Sequence, residues 1–188
     1  MDGIELEILW SNLISIVSEQ ARALQRVAFS PVVREAGDLA NAIFDKRARM
    51  VAQAVTGTPG HINSLGAAAR NLLKAIPPET LRPGDVLITN DPWMSAGHFF
   101  DITVLTPIFR SGEIIGYCGS TIHHTDIGGY GVGSGARDLH EEGLWLPVLK
   151  LYEGGRPDET LPAILPQHLR PPDPPFGGPG PPGRRRPT

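Results

Sequence analysis

At 188 residues with a net charge of −3, the chain is long enough to bury one good core, so a single globular unit is expected. Hydrophobic residues at 40% and charged residues at 20% fit a soluble protein, and the slight acidity gives no reason to expect nucleic-acid or membrane-surface partners. No apolar run approaches the roughly 20 residues that span a bilayer, the start MDGIELEILW lacks a basic-then-apolar leader, and the lone Cys118 cannot form an internal disulfide; a cytoplasmic setting is expected.

Leu6, Trp10, Leu13, Val17, Ala21 and Leu24 recur at helical spacing, so the chain opens on an amphipathic helix, which Ser30-Pro31 should end. Residues 41–45 and 49–54 are short apolar runs around a charged turn, a hairpin by pattern. A loop at 56–60 precedes a helix over 62–76, stopped by Pro77-Pro78. Residues 85–89 are a strand closing on the turn Asn90-Asp91-Pro92. Residues 101–109 and 113–121 are β-rich and joined by Arg110-Ser111-Gly112, a second hairpin. A glycine-rich stretch runs from Gly128 to Gly135. From Pro171 the chain is dominated by proline and glycine and closes on Arg184-Arg185-Arg186, a composition that predicts disorder. The expected class is α+β: an amino-terminal helix, β-hairpins and a mixed sheet.

Ligand-type side chains are densest between Asn90 and Asp126. A turn at His98-Phe99-Phe100-Asp101 lets both polar side chains face one point before the hairpin. The hairpin then returns His123 beside Asp101. Two imidazoles and one carboxylate form a mixed set suited to manganese, iron, zinc or nickel. Three protein ligands leave positions open for water or substrate, as in catalytic sites. His124 and Asp126 have local hydrogen-bonding roles open to them, or could orient a ligand imidazole. Gly128-Gly129 should supply positive φ. No complete phosphate-loop or dinucleotide fingerprint is present. Cys118 reads as inert inside a strand, His61 as a capping or surface residue, and Arg34, Glu35 and Asp38 as an ion-pair knot.

These same residues carry a resemblance. Asn90-Asp91-Pro92-Trp93, Gly97-His98, Asp101-Ile102 and His123-His124-Thr125-Asp126-Ile127-Gly128-Gly129 resemble signature blocks of the hydantoinase B/oxoprolinase family. So do Phe29-Ser30-Pro31, Arg34-Glu35, Asp38, Phe44-Asp45, Ala52-Gln53-Ala54, Glu142-Gly143-Leu144, Pro147 and the run from Lys150 to Gly155. The likeness covers residues 4–165 as ordered blocks; Pro162, Pro166 and the tail depart from it. It implies an incomplete domain over 1–165 and a tail at 166–188 that could be frame-shifted.

The resemblance implies a hydrolase subunit: ATP-dependent hydrolysis of a cyclic amide, hydantoin- or 5-oxoproline-like, with ATP used through a hydantoinase A-type ATPase partner subunit. It implies a divalent metal, manganese or zinc, held by His98, Asp101 and His123, with Asp91, His124 and Asp126 around them. The alternatives are a fragment of an acetone- or acetophenone-type carboxylase subunit with a manganese site, a non-haem iron oxygenase built on the same triad, and a non-catalytic truncated fragment.

Overall fold

The computed structural model describes residues 2–28, 30–131, 133 and 135–170. The segment from Pro171 onward, expected to be disordered, lies outside the described residues, as does Phe29.

Helix α1 (Gly3–Val27) opens on a capping box: the Asp2 carboxylate accepts the Glu5 N–H at 2.8 Å, and the Asp2 N–H donates to the Glu5 carboxylate at 3.0 Å. Ser30-Pro31 does more than stop it. Ser30 caps a short helix α2 (Pro31–Arg34), with proline at the first turn where its missing N–H costs nothing. Strands β1 (Leu39–Asp45) and β2 (Met50–Gln53) form the first hairpin. Helix α3 (Pro59–Ala75) begins three residues before the apolar periodicity, because Pro59 is preset for a first helical turn. A 3-10 turn (Pro78–Thr80) leads to β3 (Val86–Thr89). The second hairpin is β4 (Asp101–Arg110) and β5 (Glu113–His123). Its two-residue loop, Ser111 at φ 51° and Gly112 at φ 84°, has the left-handed pair that matches the twist of the strands. After α4 (Leu139–Glu142) come β6 (Leu149–Glu153), β7 (Arg156–Pro157) and α5 (Thr160–His168).

Among the described residues the strands form one seven-stranded sheet in the order β2-β1-β5-β4-β3-β6-β7. The α+β class stands. The mixed sheet does not: every pairing is antiparallel. Helix α3 does join two strands that run in the same direction, β2 and β3. But β1, β5 and β4 stand between them, so no parallel pair is made.

Helices cover both faces of the central strands, which is why β1 reads as a nearly continuous apolar run. On one face Leu65, Ala68, Ala69 and Leu72 of α3 pack on Ala40, Ala42, Phe44, Leu105 and Tyr117. On the other, Val17 and Ala21 of α1 pack on Leu39, Ala52 and Ala54. Each fully buried leucine contributes about 1.5–3 kcal/mol. Trp10 of α1 donates its indole N–H to the carbonyl of Val51 on the edge strand β2 at 3.0 Å. The antiparallel alternation brings the start of β1, the end of β5, the start of β4 and the end of β3 to one end of the sheet.

Candidate metal centre

Asp101 is the first residue of β4 and His123 the last of β5, and the register pairs them. The His123 Nδ1 lies 3.0 Å from Asp101 Oδ1, and the His98 Nε2 lies 2.7 Å from Asp101 Oδ2. The potential ligand atoms of His98, Asp101 and His123 all fall within 4.8 Å of one another. The hairpin delivers His123 to Asp101, and the turn before the hairpin delivers His98. Phe99 and Phe100 hold that turn: both are buried, packed with Ile127, and the Phe100 ring stacks on His123 with centroids 5.8 Å apart.

Asp101 is 1% exposed. Burial alone would raise its pKa, but the hydrogen bonds from His123 and His98 outweigh it and bring the carboxyl down from 3.8 to about 2. Reciprocally, the bond to Asp101 raises the pKa of His98 above its usual 6.5, against the opposing effect of burial. Burial and the neighbouring His123 push His124 the other way. An ionised buried carboxylate between two converging imidazoles is a donor set that a divalent transition metal fits. His98 remains partly exposed, so the set is approached from one open side.

Two more residues belong to the cluster, Asp38 and His61, where the sequence pattern predicts an ion-pair knot and a capping or surface residue. Asp38, just before β1, is not part of an ion-pair knot. Its backbone carbonyl accepts the His123 N–H at 3.2 Å, and its Oδ2 lies 3.8 Å from His123 Nδ1. His61, in the first turn of α3, has Nε2 2.8 Å from Asp38 Oδ1 and Nδ1 3.5 Å from Asp101 Oδ2. No local pattern marks either, since they reach the site only through the pairing of β1 with β5 and the docking of α3. One pleat further in, Thr103 bonds Thr121 at 2.7 Å, and Ser95 bonds Thr103.

The three residues expected around the ligands sit further out. Asp91 uses Oδ1 to accept the N–H groups of Trp93 and Met94, shaping the loop that leads to His98. Asp126 accepts from the Gly128 N–H at 2.9 Å and pairs with Arg170. The backbone N–H of His124 donates to Phe100 O at 2.7 Å. Among the described residues no hydrogen bond joins the side chains of these three to the ligand set. Asn90 is the anchor that spacing could not reveal. Fully buried, its amide donates to Phe99 O and Leu144 O and accepts the Leu146 N–H at 2.6 Å, tying the His98 turn to the segment before β6. Gly128 and Gly129 do adopt positive φ, 83° and 61°.

The chain has relatives among known proteins. The chain is 34% identical over 177 residues to an uncharacterized protein of Methanocaldococcus jannaschii, covering 92% of this chain and 31% of that protein. It is 38% identical over 147 residues to the 5-oxoprolinase of Saccharomyces cerevisiae, covering 76% of this chain and 11% of that one. Among solved structures it superposes on the ATP-dependent caprolactamase from Pseudomonas jessenii with a TM-score of 0.76 and 29% identity, over 90% of this chain and 30% of that chain. Acetone carboxylase in its nucleotide-free structure gives a TM-score of 0.80 at 24% identity, over 90% of this chain and 23% of that chain, a likeness of fold. The chain thus spans less than a third of these relatives. The model of one family, hydantoinase B/oxoprolinase, matches residues 2–177. The chain belongs to the hydantoinase B/oxoprolinase family.

Proposed function

We propose that this chain carries the metal-holding part of a subunit that hydrolyses a cyclic amide, hydantoin- or 5-oxoproline-like, with ATP supplied through a hydantoinase A-type ATPase partner. The observation that carries the reading is the convergence of His98, Asp101 and His123 around one buried, ionised carboxylate. A divalent cation held there, manganese or zinc, supplies Lewis-acid polarisation of an amide carbonyl. In the metal-free chain Asp101 holds the two imidazoles together by hydrogen bonds, and the Phe100 ring stacks on His123; the protons shared between them would leave on binding of a cation. Asp38 presents a partly exposed carboxylate oxygen beside His123, placed to accept a proton from an attacking water. The relatives named for amide-ring chemistry, 5-oxoprolinase and caprolactamase, share 38% and 29% identity with the chain. The carboxylase alternative has the likeness of fold on its side, at 24% identity.

Metal analysis decides the site and a coupled assay decides the chemistry. The purified chain should take up one equivalent of manganese or zinc, and His98→Ala with His123→Ala should abolish uptake. Undiminished binding in the variants sinks the ligand assignment. With an ATPase partner subunit, ring opening of 5-oxoproline or a hydantoin should consume ATP. Carboxylation of a ketone in its place would favour the carboxylase reading, and oxygen consumption with ferrous iron the oxygenase.

A further inference from the structure

His61 lies between the two carboxylates of the cluster, its side chain 12% exposed. The first turn of α3 saturates one oxygen of Asp38: Oδ1 accepts from Thr58 Oγ1 at 2.7 Å and from His61 Nε2 at 2.8 Å. Thr58 would ordinarily cap the helix with that hydroxyl, but it makes no cap bond and serves Asp38 instead. With Oδ1 held from behind, the remaining oxygen, Oδ2, is turned toward His123 Nδ1 at 3.8 Å. The second ring nitrogen of His61 stands 3.5 Å from Asp101 Oδ2, beyond hydrogen-bonding distance. The strong contact is therefore one-sided, from Nε2 to Asp38.

We propose that His61 is a positioning residue for the metal centre: through Nε2 it aims the free oxygen of Asp38 at the set formed by His98, Asp101 and His123, without itself becoming a ligand. The inference rests on the reading of that set as a metal site. Its chemical content is specific. What matters is a hydrogen-bond donor at the position of Nε2, and a glutamine amide reaches that position whereas an asparagine amide reaches only that of Nδ1. Removing an outer partner of this kind typically costs about 10–100-fold in metal affinity.

The test is chelator-competition titration of zinc and of manganese with the full chain and with His61→Ala, His61→Asn and His61→Gln, each checked for a cooperative melt. The expected order is parent and Gln close together, within about 3-fold, with Ala and Asn weaker by about 10–100-fold. Should His61→Ala fail to fold, the comparison of Gln with Asn carries the same information. The inference is overturned if Ala or Asn binds as tightly as the parent, or if Gln is as weak as Asn, which would make the ring itself a ligand. A parent chain that binds neither metal overturns the metal reading and takes the inference with it. Parent binding lost in His98→Ala but intact in His61→Ala overturns the inference alone.

Discussion

Asp101 and His123 face each other as the terminal pair of the β4–β5 hairpin, and the imidazole hydrogen-bonds the carboxylate that the register places opposite it. The hairpin therefore acts as a measuring device: a loop of fixed length returns His123 to within 3.0 Å of a residue 22 positions earlier.

The carboxylate of that pair sets an acid limb. Because the folded-state pKa of Asp101 is lowered from 3.8 to about 2, its contribution to stability is complete above 3.8 and is lost as pH falls toward 2. At about 1.4 kcal/mol per unit the metal-free chain should lose about 2 kcal/mol across that window. Asp101→Asn should flatten this part of the pH profile in urea melts; a profile unchanged from the parent's would contradict the assignment.

Metal uptake should also rise with pH, over a higher window. The raised pKa of His98 means that its charged form stabilises the metal-free fold below 6.5, a contribution lost as pH rises through the higher folded value. A cation needs the neutral ring. Affinity for zinc or manganese should therefore climb with pH through a midpoint above 6.5, measured by titration at fixed ionic strength. A midpoint below 6.5 would speak against His98 as a ligand.

Asn90→Ala removes two donated bonds and one accepted bond at a fully buried position and leaves the partners unpaired. The expected loss is about 2–4 kcal/mol in denaturant melts. Metal affinity should fall with it, since the His98 turn hangs from Phe99. A loss of less than about 0.5 kcal/mol, the size of an ordinary surface change, would show that the anchor does nothing.

Gly129 has φ of 61°, and a Cβ there would lie 2.5 Å from the Glu141 carbonyl oxygen and the Gly143 nitrogen. Gly129→Ala should lower the melting temperature clearly, by strain of about 1–3 kcal/mol. Gly60→Ala, in the first turn of α3 where a Cβ meets nothing within 4 Å, is the control and should be neutral or slightly stabilising. Equal melting shifts in the two variants would refute this distinction.

Cys118 donates its thiol hydrogen to Gln20 Oε1 at 3.0 Å, and burial raises its pKa above 9.0 despite that bond. A thiol reagent at pH 8 should label the native chain slowly and the denatured chain at once. Fast labelling of the native chain would mean that α1 opens readily from β5.

Much of this was legible in order along the chain. Short apolar and β-rich runs on either side of a turn marked both hairpins, and the short loop then placed His123 beside Asp101, because hairpin geometry is local. Asp38 and His61 were harder. Both enter the site through the sheet order, which puts β1 beside β5 rather than beside β3. Strand order is a long-range property decided by packing on both faces, and the residues flanking Asp38 do not encode it. The same reason explains why the sequence predicts neither β6, a short and largely exposed strand, nor the proline-containing α5: their apolar residues answer to Ile88 and Leu146 across the fold.

The bond from Trp10 to Val51 bears on the open margin of the sheet. β2 is an outer strand, and such a strand offers unpaired backbone groups to any other extended chain. The indole occupies one carbonyl on that margin and lays a helix alongside it. One acceptor that a neighbouring strand would need is thereby already taken by the chain's own first helix, which covers the core as well.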